Sequence, residues 1–254
     1  VNNLAKWSDQ WQLSINISKC HVLHLGRNNP RLSYCINNCV LSDQDDGVTD
    51  LGVDIDSDLK YDTHIDNIVK KAYQRIALIF RGFASRKPEL LVKAYVSFVR
   101  PVLEYCSCIW SPVLITRINA IERVQKYFTR RLYGMDDLNY TDRLSILKLE
   151  SLEMRRLKLD IYLYYKILHN LVALPADVYF RYDDRHLNVR SYDPNNLVKP
   201  LLNTALKSQH FFYRCIDVWN FIPVVIRNCD SLSVFKRAVA DIDFTCFMIG
   251  TFSV

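Results

Sequence analysis

Few residues in this chain combine a reactive side chain with a setting that would let it react. Lys19 stands in a turn within the run WQLSINISKCHVLHLG, residues 11–26, between an apolar-faced helical stretch and an apolar strand. An ammonium so placed can lend a proton and a charge to a departing anion, although a lysine in a turn is ordinarily solvated. Asp54, Asp56 and Asp58 alternate along an extended stretch. Side chains two apart on a strand stand about 6.6 Å apart, too far to share one ion, so these acids line the wet face of a strand and its exit turn. Cys20, His24, Cys35 and Cys39 suggest zinc by type. On strands, positions four apart are roughly 13 Å apart, whereas zinc ligands converge within about 2.3 Å of one ion, so only a loop could gather them. Cys106 and Cys108 point two ways on a helix and read as core, and Cys215, Cys229 and Cys246 have no metal-knuckle spacing. Paired aspartates at Asp136-Asp137 and Asp183-Asp184 lie in polar segments and read as solvated loop acids.

The bulk numbers bound what these residues can belong to. A chain of 254 residues, half of it apolar, suits one large domain or two small ones with a real core. A formal charge of +6 and a pI near 8.8 are a mild basic excess, compatible with nucleic acid. Six glycines across the whole length argue against a Rossmann or P-loop nucleotide site, both of which need glycine clusters. Eight cysteines without pairing rhythm fit free thiols in a reducing compartment. The most apolar runs, residues 157–172 and 242–254, are interrupted by charge or too short to cross a bilayer, and no signal peptide is visible. Val1 stands where an initiating Met would, so a piece of a longer protein is expected.

The elements that must position these residues follow from periodicity. Leu4, Trp7 and Trp11 fall at helical spacing over residues 3–14, an aromatic stripe that reads as packing. Short strands are expected at 22–25, 31–36 and around Val40 and Leu41, the last two joined by a hairpin turn at Asn37-Asn38. Leu51, Val53 and Ile55 alternate with polar residues as a half-buried strand. From Asp62 the period becomes helical. Ile65, Ile68, Val69, Ala72, Ile76, Ile79 and Phe83 form one face, with Lys70, Lys71, Gln74 and Arg75 opposite. A second helix opens at Pro88 and is kinked by Pro101. A third, about 115–133, sets Ile118, Ile121, Val124, Phe128 and Leu132 against Arg117, Arg123, Lys126, Arg130 and Arg131. A fourth, about 149–172, is apolar on nearly all sides beyond Leu157 and reads as a central buried helix. Residues 177–204 read as a long loop, with helical pattern resuming at 209–221 and 232–242. The fold class is therefore α+β: a small, mostly antiparallel sheet with one helix over 1–60, a helical domain over 61–172, and a loop with C-terminal helices over 173–254.

With these elements placed, the chain resembles the C-terminal part of a non-LTR (LINE-type, jockey-like) retrotransposon reverse transcriptase, along nearly its whole length. W-x-L-x-I-N-x-x-K-C at 11–20 resembles a palm motif of that family. LGVDID at 51–56, followed by HI at 64–65 and KKA at 70–72, resembles the primer-grip hairpin leading into the thumb. YVSFVRPVLEYCSCIWSP (95–112), IERVQKYFTRRLYG (121–134), YTDRLSILKLESLEMRRLKLDI (140–161) and VWNFIP with SVFK (218–236) resemble its helical thumb and post-thumb region.

The resemblance implies a fold of palm remnant, thumb-like helices and C-terminal helices, and a set of roles. Lys19 matches the palm lysine that protonates the leaving pyrophosphate, a general acid left vestigial here. Leu51, Gly52 and Val53 match the primer grip, where a glycine lets backbone approach the primer end. Lys70, Lys71, Arg75, Arg123, Lys126, Arg130 and Arg131 are then thumb bases facing a duplex backbone. The implied partners are an RNA/DNA template–primer duplex, gripped through phosphate and sugar, and an N-terminal palm and fingers of the same polyprotein; no membrane is implied. The implied setting is intracellular, nucleus or cytoplasm. The family's polymerases use Mg²⁺ held by carboxylates, including an aromatic-x-Asp-Asp hairpin. Arg181 and Gly134 stand where that aromatic would precede the two aspartate pairs, and both pairs follow the palm-like stretches instead of preceding them. No cofactor is therefore expected in this chain, and no polymerisation by it alone. A reading from another class also fits the pattern: a non-catalytic helical protein-interaction or scaffold module of retrotransposon origin, since a charged face opposite an apolar one is what any surface helix shows.

Overall fold

The computed structural model describes residues 2–26, 28–44, 47–182, 196–201 and 210–250. The architecture is α+β, and the chain divides into two compact units, Val1–Asn67 and Ile68–Val254.

The first unit opens with α1 (Asn2–Gln10) and carries β1 (His21–Val22), β2 (Cys35–Ile36), β3 (Cys39–Val40), β4 (Ser42–Asp43), β5 (Val48–Asp50) and β6 (Val53–Ile55). The strands do not join into one sheet. They form three separate two-stranded ladders: β1 with β4 in parallel, and β2 with β3 and β5 with β6 antiparallel. Strands of two or three residues supply too few ladder bonds to recruit a third neighbour, so each antiparallel pair closes on its own turn. Asn37 and Asn38 both have positive φ, 48° and 63°, the backbone of a two-residue hairpin loop whose twist suits its strands. Leu51 and Gly52, at 45° and 83°, make the same turn between β5 and β6. The expected alternation at 51–56 is thus a turn followed by a strand, and Leu51 is 84 % exposed at its tip while Val53 is buried. The packing of α1 also differs from its pattern. Ala5 and Ser8 are buried, and Leu4, Trp7, Trp11 and Leu13 face outward. Among the described residues of this unit nothing covers the aromatic stripe, and the small residues turn inward instead.

In the second unit, α2 (Asp62–Gly82) continues from the first, followed by α3 (Pro88–Ala94), a π-helical turn (Tyr95–Val99), α4 (Arg100–Glu104) and α5 (Ser107–Trp110). Pro101 has no N–H and crowds the carbonyl four residues back, and the helix answers with the wider π turn just before it. A left-handed Cys106 (φ 51°) then separates α4 from α5. The expected kinked helix thus runs unbroken through its π turn to Glu104, and α5 follows as a separate segment. Next come α6 (Ile115–Arg130), α7 (Tyr140–Leu147), α8 (Leu152–Leu168), α9 (Ala176–Tyr179), α10 (Phe211–Arg214), α11 (Ile216–Phe221), α12 (Val224–Arg227) and α13 (Leu232–Ala240). The expected apolar stripe of α6 is buried throughout, and Phe128 stacks on Tyr95 with ring centroids 4.4 Å apart.

α8 is central, as its apolar run beyond Leu157 leads one to expect. Ile161, Tyr164, Tyr165 and Ile167 share a core with Phe211, Ile216, Trp219, Phe235 and Phe244. The aromatics at 211, 212 and 219 are packing residues. Among the described residues, no helix is long and apolar enough to cross a membrane.

Candidate nucleic-acid interface

α6 lies beside α2 through aromatic contacts. Tyr73 meets Tyr127 edge-on at 5.3 Å, and Phe80 stacks on Phe128 at 5.6 Å. Below this seam α6 is held by a buried polar cluster. Glu122 is fully buried, and its carboxylate accepts from the Leu152 backbone N–H at 3.0 Å and from the Tyr140 hydroxyl. Gln125 donates to Tyr140 Oη and to the Glu150 carbonyl, both at 2.9 Å, and accepts from the Tyr95 hydroxyl at 3.0 Å. Burial raises the Glu122 pKa, with the Tyr140 hydrogen bond opposing it. These bonds dock the start of α7 and of α8 against α6, and so decide where the residues following α6 fold back.

The fold-back creates an open recess of about 690 Å³, lined by Lys126, Tyr127, Arg130, Arg131, Asp136, Leu138 and Arg143. Four cations thus face one carboxylate. Arg143 is the best fixed of them. Only 6 % exposed, it donates from Nε to Thr129 Oγ1 at 3.2 Å and from Nη1 to the Leu138 carbonyl at 2.8 Å. The Tyr140 ring has Lys126 Nζ 5.1 Å and Arg143 Cζ 5.6 Å from its centroid, a cation–π arrangement. Arg131 lies 4.9 Å over the Tyr127 ring and donates to its hydroxyl. Burial, together with the nearby Arg130 guanidinium, lowers the Arg143 pKa from its usual value. Helix dipoles favour cations near a C-terminus, which accounts for Arg130 and Arg131 at the end of α6. It does not account for Arg143, on another helix.

The basic residues expected at a duplex therefore have different surroundings. Lys126, Arg130 and Arg131 come together in the recess. Arg123 is exposed on α6. Lys70 and Lys71 are exposed on α2. Arg75 donates to the carbonyl of Phe98 in the π turn, which commits it to holding that turn. Arg143 had no place in the sequence reading. A signal for it exists: the Asn139 side chain accepts from the Asp142 N–H at 2.9 Å, so Asn139-x-x-Asp142 is a helix start, and it sets Arg143 in the first turn of α7.

In the first unit, Lys19 is exposed at the end of a 3₁₀ turn, Ile17–Lys19, capped by Asn16. Asp54 accepts from Thr49 at 2.6 Å and from Asn67 at 2.9 Å, which lowers its pKa, while Asp56 accepts from the backbone N–H groups of Lys60 and Tyr61. These acids brace a strand exit. Asp183 and Asp184 lie outside the described residues. All eight cysteines are free. Among the described residues no three His, Cys, Asp or Glu side chains gather as a metal would require. The donor set of the described residues does not fit a pair of divalent ions.

The site is thus a basic, partly aromatic recess on the helical unit of an α+β chain. Compared with known proteins, the chain is similar to the uncharacterized protein B0403.1 of Caenorhabditis elegans, with 27 % identity over 131 residues, covering 50 % of this chain. The match spans 66 % of that relative's own length. No family model matches the chain, and no solved structure matches it.

Proposed function

We propose that the chain is the C-terminal part of an RNA-directed DNA polymerase of the non-LTR retrotransposon type, and that it grips template–primer duplex without forming phosphodiester bonds itself. The observation that supports this most is the convergence of Lys126, Arg130, Arg131 and Arg143 on one recess, at the end of the helix whose sequence resembles the family's thumb. Clustered cations neutralise phosphates and release counterions, which gives affinity without sequence reading. Lys70, Lys71 and Arg123 are exposed cations of the same unit and extend the duplex-facing surface. In this reading Lys19 is a vestigial acid, and Leu51, Gly52 and Val53 keep the primer-grip hairpin, with Gly52 at its turn.

The test is binding of the purified chain to an RNA/DNA hybrid across a salt series, with primer extension in Mg²⁺ or Mn²⁺ alongside. Binding that weakens steeply with salt, and no extension, is expected. Salt-insensitive binding, or none at low salt, overturns the grip; metal-dependent incorporation overturns the non-catalytic assignment. A second reading, a protein-interaction or scaffold module, is favoured by the outward-facing Leu4, Trp7, Trp11 and Leu13, an apolar group of the kind that marks interaction surfaces. It gains if mutating those four residues to serine abolishes self-association or capture of a partner while hybrid binding is absent.

A further inference from the structure

We infer that the recess lined by Lys126, Arg130, Arg131 and Arg143 is a discrete site for a phosphate monoester, filled by the terminal phosphate of a nucleic-acid strand. The source of the ester rests on the nucleic-acid reading above; the monoester chemistry rests on the recess itself.

Charge comes first. Leaving Lys126 aside, the three arginines lining the recess, set against the carboxylate of Asp136, exceed what one phosphodiester, with one negative charge, can balance. A monoester carries roughly −1.5 to −2 at neutral pH and offers three strong acceptor oxygens. Access comes second. A strand running across the surface presents its phosphates to exposed cations such as Lys70, Lys71 and Arg123. Arg143 lines the recess yet is only 6 % exposed, so reaching it takes a group that can enter, as a chain end can. Preorganisation comes third. With Nε and Nη1 already bonded to Thr129 and Leu138, the Arg143 fork is fixed before any ligand arrives, and little rotamer freedom is lost on binding. Room comes last: about 690 Å³ lies within the range of small-molecule sites, roughly 300–1,000 Å³, and exceeds what a phosphate group alone would fill.

The experiment measures fluorescence anisotropy of the full chain with one single-stranded oligonucleotide, prepared with a 5′-phosphate or a 5′-hydroxyl. The phosphorylated form is expected to bind about tenfold more tightly, the worth of one or two charge-assisted hydrogen bonds. Arg130→Gln, at an exposed position, removes most of that preference without threatening the fold. Arg143→Gln removes it in a chain shown by circular dichroism to remain helical. Lys70→Gln weakens both forms alike and leaves their ratio unchanged. Equal affinity for the two ends, or a preference that survives both arginine variants, overturns the inference. Adenosine 5′-monophosphate that displaces the phosphorylated strand at equal concentration upholds the monoester site and makes a free nucleotide its source. Displacement only by large excess keeps the strand end as source. A phosphoserine peptide that binds as tightly as the strand overturns the nucleic-acid assignment. The two readings separate cleanly: salt-dependent binding of a hydroxyl-ended hybrid without end preference sinks only the terminal site, and end preference without hybrid binding sinks only the duplex grip.

Discussion

Arg143 Nε and Thr129 Oγ1 lie 3.2 Å apart, and this bond joins the first turn of α7 to the last turn of α6. Thr129 itself donates to the Gln125 carbonyl one turn earlier at 2.9 Å, so its oxygen is oriented for the guanidinium. The recess therefore has a floor made of structure as well as charge.

Removing that floor should be felt in stability. Arg143→Met leaves the Leu138 carbonyl and Thr129 without their donor, and is expected to lower the unfolding free energy by about 2 kcal/mol, the usual worth of hydrogen bonds to a charged group. Urea titration of the variant against the parent chain reads this directly. An unchanged midpoint would mean that water replaces the guanidinium without loss.

Glu122 predicts a pH dependence. Burial raises its folded-state pKa above the ordinary carboxylate value, so between those two values the folded chain binds more protons than the unfolded one. Stability then falls as pH rises through that window, and the penalty persists above it. Glu122→Gln cannot titrate, so its urea midpoint should vary less over the same interval, the remainder coming from Asp160, which burial also raises. Parallel pH profiles for parent and variant would refute the assignment.

The second buried pair is expected to be costly to break. Arg214 donates from Nη2 to Asp160 Oδ2 at 2.8 Å, and both side chains are well removed from solvent. Arg214 also reaches the Cys108 carbonyl at 3.0 Å, fastening α10 to the segment containing α5. Asp160→Asn keeps the shape but leaves a buried cation without its counter-charge, and should destabilise by roughly 3–5 kcal/mol. The double variant Asp160→Leu with Arg214→Met should recover much of that loss in the same thermal or urea assay. No recovery would mean that the arginine's carbonyl contacts matter more than the pair.

Salt dependence tests the surface cations one at a time. Arg130→Ala is expected to reduce the slope of log affinity against log salt for an RNA/DNA hybrid by about 1, since one phosphate contact is lost. Arg75→Ala should leave the slope nearly unchanged, because its guanidinium is committed to the Phe98 carbonyl. A reversal of that order would place the duplex against α2 instead of α6.

What the sequence alone determined is what local physics controls. The period of 3.6 in α6 placed Ile118, Ile121, Val124 and Phe128 inward, and all four are buried. Asn37-Asn38 marked a hairpin because few residues tolerate two successive positive φ angles. The apolar run of α8 beyond Leu157 marked a central helix, and Ile161, Tyr164 and Tyr165 lie in the core. Tertiary structure decided the rest. Glu122, Gln125 and Asp160 are polar by type, yet all are buried, with hydrogen-bond partners 15 to 55 residues away that only a folded chain brings near. For the same reason α1 turned Ala5 and Ser8 inward while its tryptophans stayed outside: periodicity fixes which residues share a face, and only the neighbouring elements decide which face is covered. The recess belongs to this second kind. Its cations were visible one by one along α6, but their concavity, and the Arg143 that completes it, arose when α7 folded back onto a buried glutamate.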